Sequence, residues 1–168
     1  LCKNEQGRLN LNWLVSQSTL HKYYGRPRID FKMLKEHHEG LICLSACMAG
    51  EVSRALMNGN EGIAEATALR YKMLFGDDYY IEYQAHEVME QQELNVKLIN
   101  LADKLGIKYV VTCDAHYVRP EDEKYHNIFI QIGSQREAGE IYKDCYLQSE
   151  QEVIDKCLLT QQYTQLAI

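Results

Sequence analysis

Proline is scarce in this sequence, two residues in 168, tryptophan occurs once, and there is no excess of positive charge. Lys and Arg number 18 against 24 Asp and Glu, a formal net charge of −6 at pH 7. A domain that holds DNA through its own phosphate contacts is ordinarily basic, because neutralising phosphates releases counterions. This chain repels nucleic acid on average, so any such role falls to a local patch or to other parts of a larger protein. Also missing are an apolar run of the roughly 18–20 residues that cross a bilayer and the apolar core of a secretory leader. These absences lead us to expect a cytoplasmic chain with no membrane partner. The six cysteines (Cys2, Cys43, Cys47, Cys113, Cys145 and Cys157) contain no Cys-x-x-Cys pair and are read as reduced thiols, mostly small buried hydrophobes.

Hydrophobic residues at 46% and charged residues at 25% are ordinary globular usage, which excludes disordered, collagenous and low-complexity classes. The length suits one domain or a large piece of one. The chain starts at Leu1 rather than Met and stops on the apolar stretch Gln165-Leu166-Ala167-Ile168, so we expect a piece of a longer protein.

Apolar periodicity predicts a helix over Glu5–Leu20, with Leu9, Trp13 and Leu20 as its stripe, widened by Leu11, Leu14 and Val15. Gly25 and Pro27 break the chain before Asp30, which caps a short helix through His38 that Gly40 ends. Leu41–Ala46 (LICLSA) reads as a buried parallel strand. Helices follow over Glu51–Met57 and Glu61–Phe75, then a strand over Tyr79–Gln84, a helix over Glu90–Leu105 stopped by Gly106, and a strand over Lys108–Cys113. A further helix runs from Pro120 through His126 to about Ile132, followed by a loop, an extended segment near Tyr146 and one or two terminal helices. Strands alternating with helices make an α/β fold with a parallel sheet, open or closed into a barrel.

The residues that carry chemistry fall where strands end. LICLSA leads into Cys47, YYIEYQ into His86, and KYVVTC into Asp114 and His116. In parallel α/β folds the C-terminal strand ends make the face that carries sites. Asp114 and His116 are two residues apart, so in extended backbone they point the same way and can converge on one ion. With the Cys47 thiolate they form a borderline-soft donor set suited to Zn²⁺, with Mn²⁺ or Fe as alternatives. A capping Asp beside a half-buried His is the other reading of that pair. Cys43, His37, His38 and His126 are read as core, solvated, solvated, and packing or capping residues. Lys22, Tyr23, Tyr24, Arg26 and Arg28 make the one basic-aromatic cluster, either an ordinary loop or a contact for phosphate or a neighbouring domain.

The blocks GLICLSACMAGEVSRAL (40–56), FGDDYYIEYQAH (75–86), Gln91 with Asn95, and VVTCDAHYVRPEDEKYH (110–126) occur in this order. KNEQGRLNLNWLVS (3–16) and RPRID (26–30) precede them. Together they resemble the PHP domain (polymerase and histidinol phosphatase) of bacterial DNA polymerase III α subunits. The resemblance implies part of a distorted seven-stranded (β/α) barrel with a multi-metal site, often zinc. Cys47, Asp114 and His116 correspond to three of the family's ligands. The remaining ligands, an H-x-H pair among them, lie upstream in the family and are not in this sequence, so we expect a weakly filled or empty site. Gln84 and His86 fall beside the metal cleft, His86 as a positioning or structural residue. On this resemblance residues 1–168 are the C-terminal portion of a single PHP domain, without the palm, fingers and thumb where a polymerase holds Mg²⁺. The implied parent synthesises DNA, with the rest of the α subunit and DNA as partners. The PHP region then serves either as a metal-dependent 3′–5′ exonuclease or as structural support. Alternatives are a scaffold that docks a separate proofreading exonuclease and a stand-alone phosphoesterase such as histidinol phosphatase. An incomplete barrel is also expected to expose apolar surface or strand edges.

Overall fold

A computed structural model describes residues 1–134 and 144–157; Gln165–Ile168 and the later part of the terminal segment lie outside the described residues. Helix α1 (Glu5–Leu20) begins where Asn4 accepts the Gly7 amide, and α2 (Phe31–Glu36) where Asp30 accepts the Met33 amide at 2.7 Å. β1 (Cys43–Leu44) leads through a short loop to α3 (Glu51–Met57) and α4 (Glu61–Phe75), then to β2 (Tyr79–Gln84). α5 (Met89–Leu105) ends on Gly106 in the left-handed region and returns the chain to β3 (Lys108–Thr112). A 3₁₀ turn, Pro120–Asp122, opens α6 (Glu123–Ser134), and residues 150–157 are helical.

Among the described residues the sheet has three parallel strands in the order β1-β2-β3, with Cys43 opposite Tyr79 and Gln84 opposite Thr112. This is the α/β arrangement expected; the described strands form an open sheet. α3, α4 and α5 pack on one another, and α4 and α5 lie on β2. The core forms there, around Ile81 at 0% exposure, Leu98 at 1% and Tyr79 at 1%. Ile81 and Leu98 each contribute about 1.5–3 kcal/mol by leaving water. The terminal helical segment reaches the same sheet through Tyr83, whose hydroxyl donates to Cys157 Sγ at 3.3 Å.

Three expectations need correction. The LICLSA strand is two residues long and half-buried, because its first half pairs elsewhere: the Ile42 amide donates to the Leu1 carbonyl, and Cys2 bridges Leu41 antiparallel. The buried face of α1 is Gly7, Asn10 and Leu14, while Leu9, Val15 and Leu20 are 50%, 57% and 72% exposed. Gly7 sets that face. A Cβ there would lie 1.9 Å from the Gly40 carbonyl oxygen, so only glycine lets the helix approach so closely. His37 and His38 are half-buried rather than solvated, His37 stacked on Trp13 at 3.7 Å and His38 edge-on to Phe75. Exposed apolar residues expected of this chain are present on α6: Tyr125, Ile128, Phe129 and Ile132 are 53–78% exposed at helical spacing.

Candidate metal centre

Left-handed backbone follows two of the three strands and precedes Cys145. Ala46, which follows β1, sits at φ +65°, and Cys47 comes next. Asp114, just past β3, sits at φ +42°, and Asp144 at φ +68° precedes Cys145. An L-residue in the left-handed region costs about 1–2 kcal/mol. Observed strain of this kind concentrates where side chains must be held for function. Cys47, Gln84, His86, Asp114 and His116 line one cavity of about 560 Å³, together with Gln91 and Arg54. Asp114 Oδ2 lies 3.5 Å from His116 Nε2. The segment carrying Cys145 is fastened to the same loop, its carbonyl accepting the amides of His116 at 2.7 Å and Tyr117 at 3.2 Å.

His86 is the most deeply placed imidazole at the cavity, 4% exposed, with neither ring nitrogen hydrogen-bonded among the described residues. Burial pulls its pKa below the usual histidine value, against the opposing pull of the Asp114 carboxylate. The imidazole is thereby held neutral, the form that coordinates metal. Ligand atoms of His86, Asp114 and Cys145 all lie within 4.8 Å of one another. Burial, reinforced by Asp114 and Asp144, pushes the Cys145 thiol up to about 12. A nearby cation reverses that balance, since a coordinating thiol loses its proton. An imidazole with orphaned buried nitrogens, one carboxylate and one thiol fit a zinc-type ion.

Buried amides hold the strand end that presents His86. Asn95 Nδ2 donates to the Gln84 carbonyl at 2.8 Å, and Gln91 Nε2 donates to Asn95 Oδ1 at 2.8 Å. Gln92 donates to the His86 carbonyl, and Gln148 Nε2 to the Ala85 carbonyl at 3.1 Å. Gln91 and Asn95 are one helical turn apart, so both amides leave α5 toward the same strand end.

All five residues expected at the cleft line one cavity, but among the described residues the side chains whose ligand atoms lie within 4.8 Å of one another are His86, Asp114 and Cys145, not Cys47, Asp114 and His116. His86, read as a positioning or structural residue, stands among the candidate ligands. Cys145, Gln148 and Arg54 were missed. Cys145 follows no strand in the sequence, and its approach depends on chain folded back from far along the sequence. Arg54 carries only the signal of a cation on a helix behind Cys47. His126 packs its ring against His116 and Tyr117, both at 5.5 Å, as a packing residue would. Arg26 and Arg28 are elsewhere: Arg26 pairs its backbone with Tyr23 in a turn, and Arg28 lies over the Tyr23 ring at 5.6 Å and borders a separate apolar groove.

The sequence profile of the PHP domain matches residues 1–86. The chain is 43% identical over 137 residues to the DNA polymerase III subunit alpha of Treponema pallidum, covering 81% of this chain and 12% of that protein. It is 42% identical over 132 residues to the subunit of the same name from Deinococcus radiodurans, covering 79% of this chain and 10% of the relative. For the Helicobacter pylori protein the identity is 32% over 190 residues, covering 94% of this chain and 16% of the relative. The chain thus spans between a tenth and a sixth of the length of these curated relatives.

Proposed function

The chain belongs to the PHP-domain family, and we propose that it is part of the α subunit of a bacterial DNA polymerase III, in which it builds one side of a multi-metal site within a seven-stranded PHP barrel. The observation that carries this reading is the convergence of Cys47, Asp114 and His116, from two different strand ends, on a single cavity that also contains His86. Template-directed synthesis belongs to the parent protein and its Mg²⁺-binding palm. The region described here contributes metal-dependent 3′–5′ exonuclease chemistry or metal-held support for the polymerase.

Cys47, Asp114 and His116 are the residues that would hold the ion, with zinc as the favoured metal. Bound there, such an ion supplies Lewis acidity toward a phosphoryl oxygen. The chain's own residues prepare the cavity for an anionic substrate. Arg54 on its wall offers a cation that a phosphodiester can approach, although the chain as a whole is acidic. Asp114 Oδ2, 3.5 Å from His116 Nε2, keeps the two side chains facing the same part of the cavity. The buried amides of Gln91 and Asn95 keep the strand end from shifting.

The experiment compares Asp114→Asn/His116→Ala with the unaltered sequence in the full-length protein. Lower metal content with primer extension preserved supports the reading, and unchanged metal content refutes it. Loss of exonuclease activity in the same variant selects the catalytic role over the supporting one. The scaffold reading, in which the domain docks a proofreading exonuclease, draws on the exposed apolar stripe of α6. It predicts weakened docking when Phe129 and Ile132 become charged.

A further inference from the structure

We infer that His86, Asp114 and Cys145 form an ion position of their own, deeper than the Cys47–Asp114–His116 group and sharing Asp114 with it, that takes a zinc-type divalent cation. His86 and Cys145 are outside the ligand set that the PHP resemblance implies. The inference rests on the reading that this cavity holds metal at all.

Four observations support it independently of that resemblance. The three ligand atoms lie within 4.8 Å of one another. Ligands around a tetrahedral zinc are about 3.3–3.8 Å apart, so small side-chain rotations close the set. His86 is 96% buried and has no hydrogen-bond partner for either ring nitrogen among the described residues, and coordination would satisfy one of the two. Depth separates this position from its neighbour: Cys145 and His86 are 2% and 4% exposed, whereas the His116 side chain is 37% exposed. Finally, the two buried ligands are tied together through their backbones. Gln148 Nε2 donates both to the Ala85 carbonyl at 3.1 Å and to the Asp144 carbonyl at 2.8 Å, the residues immediately before His86 and Cys145. One buried amide thereby fixes the spacing of both ligands, as supporting hydrogen bonds do around metal sites.

The donor set selects the ion. Mg²⁺ and Ca²⁺ prefer oxygen ligands, and Mg²⁺ keeps most of its water. A thiolate, an imidazole and one carboxylate select Zn²⁺, Co²⁺ or Fe²⁺. Lys156 lies beside this cluster, where its charge reaches both Cys145 and His86, and Asp144 Oδ1, 3.7 Å from its Nζ, gives that charge a carboxylate partner. Asp114 is also 3.5 Å from His116, so its carboxylate is within reach of both imidazoles.

The test uses the metal-free chain titrated with Co²⁺, whose thiolate bond gives a near-ultraviolet charge-transfer band, and with Zn²⁺ for affinity. Cys145→Ser and Cys47→Ser are compared, with His86→Gln as a second variant should Cys145→Ser fail to fold by circular dichroism. The expected result is that Cys145→Ser removes one equivalent of the thiolate band, which Cys47→Ser leaves in place. Cys145→Ser and His86→Gln should each lower Zn²⁺ affinity by at least the roughly 10–100-fold that losing even an outer partner costs. If Cys47→Ser abolishes the band and neither other variant changes it, the deep position is overturned while the family-type site stands. Absence of Co²⁺ and Zn²⁺ binding by the unaltered chain overturns both.

Discussion

Asn95→Ala should destabilise the fold and loosen the metal centre together. Asn95 is completely buried, its Nδ2 donating to the Gln84 carbonyl at 2.8 Å and its Oδ1 accepting from Gln91 Nε2 at 2.8 Å. Truncation strands the Gln91 amide in the interior, at about 1–3 kcal/mol. It also removes one of two bonds to the Gln84 carbonyl, which keeps the His86 amide at 3.0 Å, a further loss of about 0.5–1.5 kcal/mol. The sum is roughly 2–4 kcal/mol. Urea unfolding at 25 °C measures it as a lower midpoint with an unchanged slope, which locates the loss in the native state. Asn100→Ala, an exposed position on the same helix, is the control and should change stability by no more than about 0.5 kcal/mol. Because the same bonds hold the strand end before His86, Zn²⁺ affinity should fall in the folded variant as well. A cost below about 0.5 kcal/mol would refute the buried-amide argument. Full stability loss with unaltered Zn²⁺ affinity would instead show that Asn95 does not position the ligands.

Gly7→Ala should cost at least about 1–3 kcal/mol, since its new methyl meets the Gly40 carbonyl at 1.9 Å. Gly62→Ala on α4, which meets nothing within 4 Å, should stabilise by about 0.4–1 kcal/mol; thermal melts of the pair decide whether the close approach sets α1. Glu152 is held down to about 2 by the Tyr146 hydroxyl and then by Ser149. Its unfolded value is near 4.5, so the unfolded state binds the proton more readily, and the stabilisation present above pH 4.5 is lost as pH falls toward 2. Glu152→Gln should therefore melt lower than the unaltered chain at pH 6 and converge with it near pH 2, and parallel curves would contradict the assignment.

The sequence by itself determined where α1, α3, α4 and β2 begin and end, because the signals there are local. The Asn58-Gly59-Asn60 break and the turn Gly76-Asp77-Asp78 act on their nearest neighbours and need no tertiary partner. It also placed Cys47, Asp114 and His116 on one face, since parallel strands deliver their C-terminal ends to the same side. Tertiary structure decided the rest. Periodicity counted the leucines of α1 without knowing that a glycine-to-glycine approach would turn most of them outward. The LICLSA run looked like a full strand because hydrophobicity does not reveal that Leu1 and Cys2 take half its hydrogen bonds. His86 became a candidate ligand through burial, and Cys145 through a chain reversal pinned by Gln148, the amides of residues 116 and 117, and a left-handed Asp144. Desolvation and convergence between distant segments depend on what surrounds a residue, and short-range pattern carries no record of that.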